Sequence, residues 1–168
     1  DIAVRFNNRY GQVFTIPEEY IIESVAVVPG TDGQKMSKSY GNCIYLDDPP
    51  EEIRKKVMEM VTDPARIRRA DPGHPEVCTV FAYHKIYNAQ KVSQIERECR
   101  NAERGCVDCK REMAEVLLKA LEPFHERRSY WSSRPDEVMD VLKEGAERAG
   151  AIARRTLEEV REAVRLFR

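Results

Sequence analysis

The sequence predicts a mainly α-helical protein in which a short α/β segment, residues 1–47, precedes a helical bundle, residues 48–168. Apolar residues recur at helical spacing from Val77 almost to the C terminus. A strong helix start, Asp48 followed by two prolines and a glutamate in the spacing of a capping box, opens the bundle. Upstream, the apolar run Val25–Pro29 has the length and composition of a short buried strand.

The first half of the chain contains two helices separated by loops. Residues 1–10 have helical spacing, and Gly11 marks the C-terminal stop. Residues 44–46 form a short extended segment. The helix that starts at Asp48 runs past Val61 and ends at Asp63, because the residue before a proline avoids the helical conformation.

The second half is helical almost throughout. We predict one helix around residues 80–87, a second that reaches about Asn101, an amphipathic helix that ends before Pro123, and a short aromatic and arginine-rich helix over 124–131. A long last helix begins near Pro135. Its apolar positions follow steps of three and four: Val138, Val141, Leu142, Gly145, Ala149, Ile152, Leu157, Val160, Val164 and Phe167.

The composition excludes several classes of protein. Apolar residues make up 42% of the 168, enough for a core, and no apolar run is long enough to span a bilayer. The net charge of −1 means that any contact with nucleic acid depends on local patches. Five unevenly spaced cysteines and the lack of a secretory signal indicate a cytoplasmic protein. The chain lacks an initiating methionine and starts inside an apparent helix, so we expect a fragment.

The most informative stretch is the loop over residues 30–42, in which glycines bracket the string Lys-Met-Ser-Lys-Ser. Lys35 and Lys38 are compact positive charges on flexible stems, and Ser37 and Ser39 offer orientable hydroxyl groups. Such a loop suits a polyphosphate that gains charge during a reaction. A solvated surface loop is the plainer alternative for a pair of lysines.

A second basic stretch follows the first bundle helix. Arg66, Arg68 and Arg69 precede the turn Asp71-Pro72-Gly73. Arginine pairs well with phosphate oxygens, so this loop is a candidate phosphate contact. A solvated charged turn explains it equally simply.

Four of the cysteines have spacing typical of a metal site. Six residues separate Cys99 from Cys106, two separate Cys106 from Cys109, and Cys78 lies upstream. Structural zinc usually uses two C-x-x-C pairs, whereas iron–sulfur clusters often take three thiolates from one compact run. We therefore predict a [4Fe–4S] cluster, with zinc as the alternative and core packing of free thiols as the simplest interpretation. Cys43 has no spaced partner, and we interpret it as a passive thiol.

These pieces together resemble the bacterial-type tryptophanyl-tRNA synthetases, a class I family, over essentially the whole chain. The signature loop at 35–39 matches without substitution. The other segments that carry the resemblance are 1–11, 62–66 with 71–73, 105–110 and 145–149. The resemblance implies that residues 1–47 are the end of a Rossmann-type catalytic domain and that residues 48–168 form an anticodon-binding domain.

The resemblance also implies a chemistry. Tryptophan attacks ATP, accompanied by Mg²⁺, and is then transferred to tRNA(Trp). Lys35 and Lys38 neutralise the departing pyrophosphate, while Met36, Ser37 and Ser39 contact ATP. The family's upstream nucleotide-binding motif is not in this chain, so we expect the piece alone to be inactive.

A subset of the family carries a [4Fe–4S] cluster, and Cys78, Cys99, Cys106 and Cys109 match its ligand positions. The resemblance implies anticodon contacts as well, for which the candidates are Lys110, Arg111, Arg127 and Arg128, and a homodimer for the full-length protein. Two alternatives remain open: a non-catalytic RNA-binding module with a structural metal, and a zinc-stapled helical interaction domain.

Overall fold

The computed structural model describes residues 1–22 and 26–165. Within them the regular structure is helical and no β-strand occurs, which confirms the prediction of a mainly α protein. The α-helices of this described part are α1 (Ile2–Tyr10), α2 (Pro50–Glu59), α3 (Thr79–Tyr87), α4 (Val92–Arg100), α5 (Cys106–Ser132) and α6 (Pro135–Val164). Single turns of 3₁₀ helix lie at Lys38–Tyr40, Pro75–Val77 and Ala89–Lys91.

The chain divides into two compact units, one of Ile21–Ser129 and one of Asp1–Tyr20 with Tyr130–Arg168. Their limits differ from the predicted boundary at residue 48. That boundary concerns functional domains rather than compact units, and it stays a prediction.

The larger unit is built around one apolar core, to which α2, α3 and α5 contribute. Their buried side chains recur at helical spacing, so each helix turns one stripe inward. The core residues are Ile53, Val57, Met60, Val80, Tyr83, Met113, Ala114, Leu117 and Leu121. Val28, Met36 and Ile44 pack against this core from the loop region that precedes α2.

In the smaller unit, α1 is tied to the segment that follows it by one buried asparagine. The side-chain oxygen of Asn7 accepts hydrogen bonds from the backbone N–H groups of Val13 (3.1 Å) and Phe14 (3.0 Å). The side-chain amide of Asn7 donates to the Phe14 carbonyl (2.7 Å). Gly11 ends the helix with φ 99°, a conformation that glycine adopts without a steric penalty. The predicted stop at this residue is confirmed.

The predicted buried strand at 25–29 is wrong where it can be judged. Val25 lies outside the described residues, and Val27 is 78% exposed. Pro29 forms only an isolated antiparallel bridge with Lys35. A strand needs a pairing neighbour, and in the described chain no neighbouring strand is present. Residues 44–46 likewise form coil and turn rather than an extended strand.

Two details of the predicted helices also need correction. The N-cap of α2 is Pro49, and no side chain caps it; Asp48 instead accepts hydrogen bonds from the Tyr45 N–H and from Lys56. Pro123 does not divide two helices, because α5 continues through it. The proline leaves the carbonyl of Lys119, four residues earlier, without its helical donor, and Lys119 lies at an exposed position of the helix.

The long last helix is confirmed, since α6 begins at the predicted Pro135. Phe167, the last predicted apolar position, lies outside the described residues. None of the described α6 residues is buried. No helix in the part of the chain that the structure describes is both long enough and apolar enough to cross a membrane.

Candidate functional site: a lysine loop and a cysteine cavity

The loop that carries Lys35 and Lys38 is closed by its own backbone. The Gly30 N–H donates to the Gln34 carbonyl (2.8 Å), and the Thr31 N–H donates to the Asn42 carbonyl (2.9 Å). The two ends of the loop therefore lie side by side, and the residues between them project as one compact turn.

Asn42 organises the interior of this loop. It is buried, and its side-chain oxygen accepts from the Ser37 N–H (2.8 Å). Its amide donates to the Asp32 carboxylate (2.8 Å) and to the Lys35 carbonyl (3.1 Å). A Cβ atom on Gly30 would lie 2.2 Å from the Asn42 amide nitrogen, so this position has no room for a side chain. One asparagine thus joins both halves of the loop.

Asp32 supports the same arrangement. Its carboxylate accepts hydrogen bonds from the Gln34 N–H (2.9 Å) and from the Asn42 amide. The Gln34 bond, followed by that from Asn42, lowers the pKa of Asp32 below its ordinary value. The charged form is therefore favoured at neutral pH.

The loop is anchored to the helical core at three points. Met36 packs against the core cluster. The Tyr83 hydroxyl donates to the Pro29 carbonyl (2.8 Å), and the Val61 N–H donates to the Thr31 carbonyl (2.9 Å). The loop is thus held by α3 and by the segment that follows α2 in the larger unit.

The two lysines are left available for a ligand. Ser37 caps the short turn Lys38–Tyr40, and its hydroxyl oxygen accepts from the Ser39 N–H (3.3 Å). Lys35 and Lys38 are exposed, and within the described chain neither ammonium group forms a hydrogen bond or an ion pair. The arrangement presents two cations three residues apart, which suits a multiply charged anion.

The four predicted cysteine ligands line one cavity. Cys78 precedes α3, Cys99 lies in the last turn of α4, and Cys106 and Cys109 lie in the first turn of α5. The cavity has a volume of about 20 Å³, the space of about one water molecule. Among the described residues, no three histidine, cysteine or acidic side chains form a group that could hold a metal ion.

Burial dominates the acid–base behaviour of the Cys109 and Cys99 thiols. It raises the pKa of Cys109 to about 12, although the nearby Arg104 opposes that change. Burial also raises the pKa of Cys99, where Arg66 opposes it. Two arginines thus compensate part of the cost of any negative charge in the cavity.

A buried histidine supports Cys109. His84 Nε2 lies 3.4 Å from the Cys109 sulfur and 3.3 Å from its carbonyl oxygen. The Asn88 amide nitrogen lies 3.1 Å from His84 Nδ1, so with Asn88 as donor the His84 proton is on Nε2 and points to Cys109. Burial lowers the pKa of His84 and favours this neutral form.

Arg66 differs from the other arginines of the basic loop because its side chain lines the cysteine cavity. Its Nη1 lies 3.8 Å from the sulfurs of Cys99 and Cys106. A neighbouring cleft of about 390 Å³ is lined by Arg66, Arg68, Arg69 and Arg111. We call it the basic cleft. Asp108 lies 3.4 Å from Arg69 and 3.6 Å from Arg111, which leaves the cleft with excess positive charge.

The other predicted RNA contacts do not converge with Arg111. Lys110 donates to the Met58 carbonyl (2.8 Å), and Arg128 pairs with Asp47 (3.3 Å). Arg127 is exposed. Their role in binding RNA stays a prediction.

Sequence reasoning missed several residues on which these sites depend. Asn42, Asp32, His84 and Arg104 were not singled out, because each acts through partners that folding brings to it. For Asn42 a signal was present: asparagine beside a glycine turn commonly bonds to the local backbone.

The chain matches a known protein family over most of its length. The sequence model of the family described as "tRNA synthetases class I (W and Y)" matches residues 1–122. This chain therefore belongs to the class I aminoacyl-tRNA synthetases of that group. The predicted resemblance is confirmed at the level of the family.

Tryptophan–tRNA ligases are among the proteins to which the chain is similar. A tryptophan–tRNA ligase of Aquifex aeolicus is 46% identical over 99% of this chain and 42% of the relative. One of Thermotoga maritima is 42% identical over 99% of this chain and 51% of the relative. The chain thus spans about half the length of the curated relatives it matches.

A solved structure is similar as well. The tryptophanyl-tRNA synthetase from Campylobacter jejuni complexed with ADP and tryptophan superimposes with a TM-score of 0.76 at 30% identity, over 98% of this chain and 51% of that one.

Proposed function

We propose that the chain is part of a tryptophan–tRNA ligase that consumes ATP, to which residues 1–47 contribute the signature loop of a Rossmann-type catalytic domain and residues 48–168 contribute anticodon recognition. The names of the relatives support this function. The observation that carries it is the hydrogen-bonded loop that presents Lys35 and Lys38 without partners in the described chain. The complete enzyme is proposed to work in the cytoplasm as a homodimer.

The chemistry explains why two lysines are needed. The carboxylate of tryptophan attacks the α-phosphorus of ATP, and the bond to pyrophosphate breaks. The terminal hydroxyl of tRNA(Trp) then attacks the activated carbonyl carbon and releases AMP. The first nucleophile, the tryptophan carboxylate, is already an anion and needs no base. The charge that requires stabilisation is the negative charge that develops on the departing pyrophosphate, and fixed cations supply that stabilisation.

Each loop residue has a role in this proposal. Lys38 is the first candidate for the pyrophosphate contact and Lys35 the second. Ser37 and Ser39 bond phosphate oxygens or hold the loop closed, as the cap at Ser37 already does. Met36 anchors the loop on the core. Mg²⁺ accompanies ATP, and we assign no protein ligand to it.

Alanine substitution of both lysines tests the assignment. In the full-length enzyme, Lys35→Ala with Lys38→Ala should lower tryptophan-dependent ATP–pyrophosphate exchange about 100-fold or more, because the leaving group loses its fixed cations. Lys143→Ala is a matched control, since its exposed ammonium lies on α6 and pairs, among the described residues, only with Asp140 at 3.9 Å.

Unchanged exchange in the double variant would defeat the ligase assignment for this loop. The chain would then be better described as a non-catalytic RNA-binding module, for which the basic cleft would carry the binding.

We also propose that the cysteine cavity holds a metal centre, a [4Fe–4S] cluster in preference to zinc. Four thiols at one place and two arginines beside them support the donor chemistry and the charge balance of such a centre. The cavity is small, so a cluster fits only if the surrounding side chains move outward. When bound, the centre would act as a structural staple, while Arg66 and Arg104 offset its negative charge.

Metal analysis of anaerobically purified full-length protein tests this second proposal. We expect a brown protein with about four irons and four sulfides per chain, and a loss of both in Cys106→Ser. Cys43→Ser is the matched control, because Cys43 is buried elsewhere and does not line the cavity. A colourless protein with one zinc per chain would replace the cluster by zinc, and a protein free of metal would reject both.

A further inference from the structure

The cysteine cavity and the basic cleft have a common wall. Thr62, Arg66, Gly105 and Cys106 line both of them. Of these four residues, Arg66 carries the permanent charge. Cys99 lines the cavity but not the cleft.

The guanidinium of Arg66 connects the two spaces. Its Nη1 lies 3.8 Å from the sulfurs of Cys99 and Cys106, and its Nη2 donates to the carbonyls of Arg69 and Arg104 at 2.8 Å each. These hydrogen bonds to the backbone carbonyls fix the path of the loop that forms the cleft. A displacement of the guanidinium would therefore move that loop.

Arg66 is also poorly compensated by the protein itself. Within the described residues it forms no ion pair with a carboxylate, and its buried Nε has no hydrogen-bond partner. Arg66 is half-buried, and a cation that is partly withdrawn from water is less stable unless it is paired. The sulfurs of Cys99 and Cys106 are the side-chain atoms that Arg66 Nη1 contacts in place of a carboxylate.

The packing around Cys99 leaves little freedom. The Gly73 N–H donates to the Cys99 carbonyl (3.0 Å). A Cβ atom on Gly73 would lie 2.5 Å from the Cys99 sulfur and 3.4 Å from the Arg66 Cδ. The basic loop is thus pressed against the cavity at both ends, at Arg66 and at Gly73.

We propose that Arg66 is a positioning residue that couples the cysteine cavity to the basic cleft, so that a change at Cys99 alters the binding of an RNA backbone in that cleft. More precisely, the change at Cys99 reaches the cleft through the Arg66 guanidinium and the carbonyls that it holds. The inference rests on the proposed function, because it takes the cleft as part of the RNA surface.

A double-mutant cycle tests the coupling in the full-length protein. The probe is a tRNA(Trp) transcript, and the variants are Cys99→Ala, Arg66→Gln and the two combined. Cys99→Ala should weaken RNA binding about fivefold when Arg66 is present, and less than twofold when Arg66 is already replaced. Equal effects of Cys99→Ala in both backgrounds would overturn the proposal.

Arg68→Gln is the matched control, because Arg68 lines the cleft without contacting a sulfur. It should weaken RNA binding by itself but leave the fivefold effect of Cys99→Ala intact. If Arg66→Gln does not fold by circular dichroism, Arg66→Lys replaces it, since it keeps the charge and loses the fork that bonds two carbonyls. In the Arg66→Lys background we expect Cys99→Ala to weaken RNA binding by between about twofold and fivefold. A full fivefold effect would count against the role of the planar guanidinium.

Hydrogen exchange separates this proposal from the proposed function. Amides of residues 65–73 should exchange faster in Cys99→Ala than in the parent protein, and the difference should vanish in the Arg66→Gln background. A protein that binds no RNA but shows this pattern would refute RNA recognition and keep the coupling. The absence of any change over 65–73 would refute the coupling itself.

Discussion

At the scale of single residues, the side chain of Asn42 decides the shape of the lysine loop. Its three hydrogen bonds, to Ser37, Asp32 and Lys35, connect parts of the chain up to ten residues apart. The Asn42 side chain itself is buried, so these bonds lie inside the loop. The positions of the two lysines therefore depend on Asn42.

Asn42→Ala should loosen the loop without unfolding the unit around it. The change removes the acceptor of the half-buried Ser37 N–H, at a cost of about 1–3 kcal/mol. We expect faster hydrogen exchange over residues 31–41 and roughly tenfold slower ATP–pyrophosphate exchange in the full-length enzyme. Asn101→Ala is the control, because Asn101 is exposed and its side chain bonds, within the described residues, to Glu103 alone. If Asn42→Ala and Asn101→Ala gave the same hydrogen-exchange rates over residues 31–41 and the same ATP–pyrophosphate exchange rates, this role of Asn42 would be contradicted.

At the scale of elements, α5 links the core to the cysteine cavity. Its first turn carries Cys106 and Cys109, and the following turns place Met113 and Leu117 in the core. Between these two regions lies Glu112. Partial burial works to raise the pKa of Glu112, but hydrogen bonds from Lys91 and Arg104 outweigh it and lower the pKa to about 2.

The lowered pKa of Glu112 predicts a pH dependence of stability. A depressed carboxyl pKa stabilises the fold fully above about pH 5, and this contribution is lost as the pH falls towards about 2. Glu112→Gln should therefore reduce the free energy of unfolding by about 2 kcal/mol at pH 7, less than the whole shift implies because the side chain is 23% exposed. The difference between parent and variant should shrink in urea titrations at low pH.

Glu115→Gln, three positions further along α5 than Glu112, is the control for this prediction. Its pair with Arg54 at 2.9 Å is largely exposed, so its removal should change the free energy of unfolding by less than about 1 kcal/mol at any pH. A loss at Glu112 that is the same at pH 7 and pH 3 would show that packing, and not charge, explains the effect.

At the scale of the whole molecule, the charge distribution limits how RNA can bind. The net charge is −1, so a long-range field does not attract a polyanion, and local patches such as the basic cleft must supply the contacts. Binding of this kind separates into backbone contacts, which fix position, and base contacts, which give specificity.

A transcript of tRNA(Trp) with an altered anticodon should bind the full-length protein roughly tenfold more weakly than the natural sequence, because unpaired bases are read by stacking and by their edges. Fluorescence anisotropy at fixed salt measures this difference. The control is a transcript in which one base pair of the stem furthest from the acceptor end is replaced by another base pair. This transcript should bind as well as the natural sequence. Indifference to the anticodon would remove anticodon readout from residues 48–168.

The sequence by itself determined the features that depend on neighbours along the chain. The lysine string, the stop at Gly11 and the start of α6 at Pro135 follow from local conformational preference and helical period, so they could be predicted. The convergence of Cys78 with the three later cysteines was also anticipated, although only through their spacing and the family resemblance.

Only the tertiary structure decided what depends on distant partners. It placed Arg66 against two sulfurs more than 30 positions away rather than in solvent, left residues 26–29 without a pairing strand, and continued α5 through Pro123. The physical reason is the same in each case. A charge, a strand or a helix break gains or loses its free energy from groups that the local sequence does not contain, and those groups become neighbours only when the chain has folded.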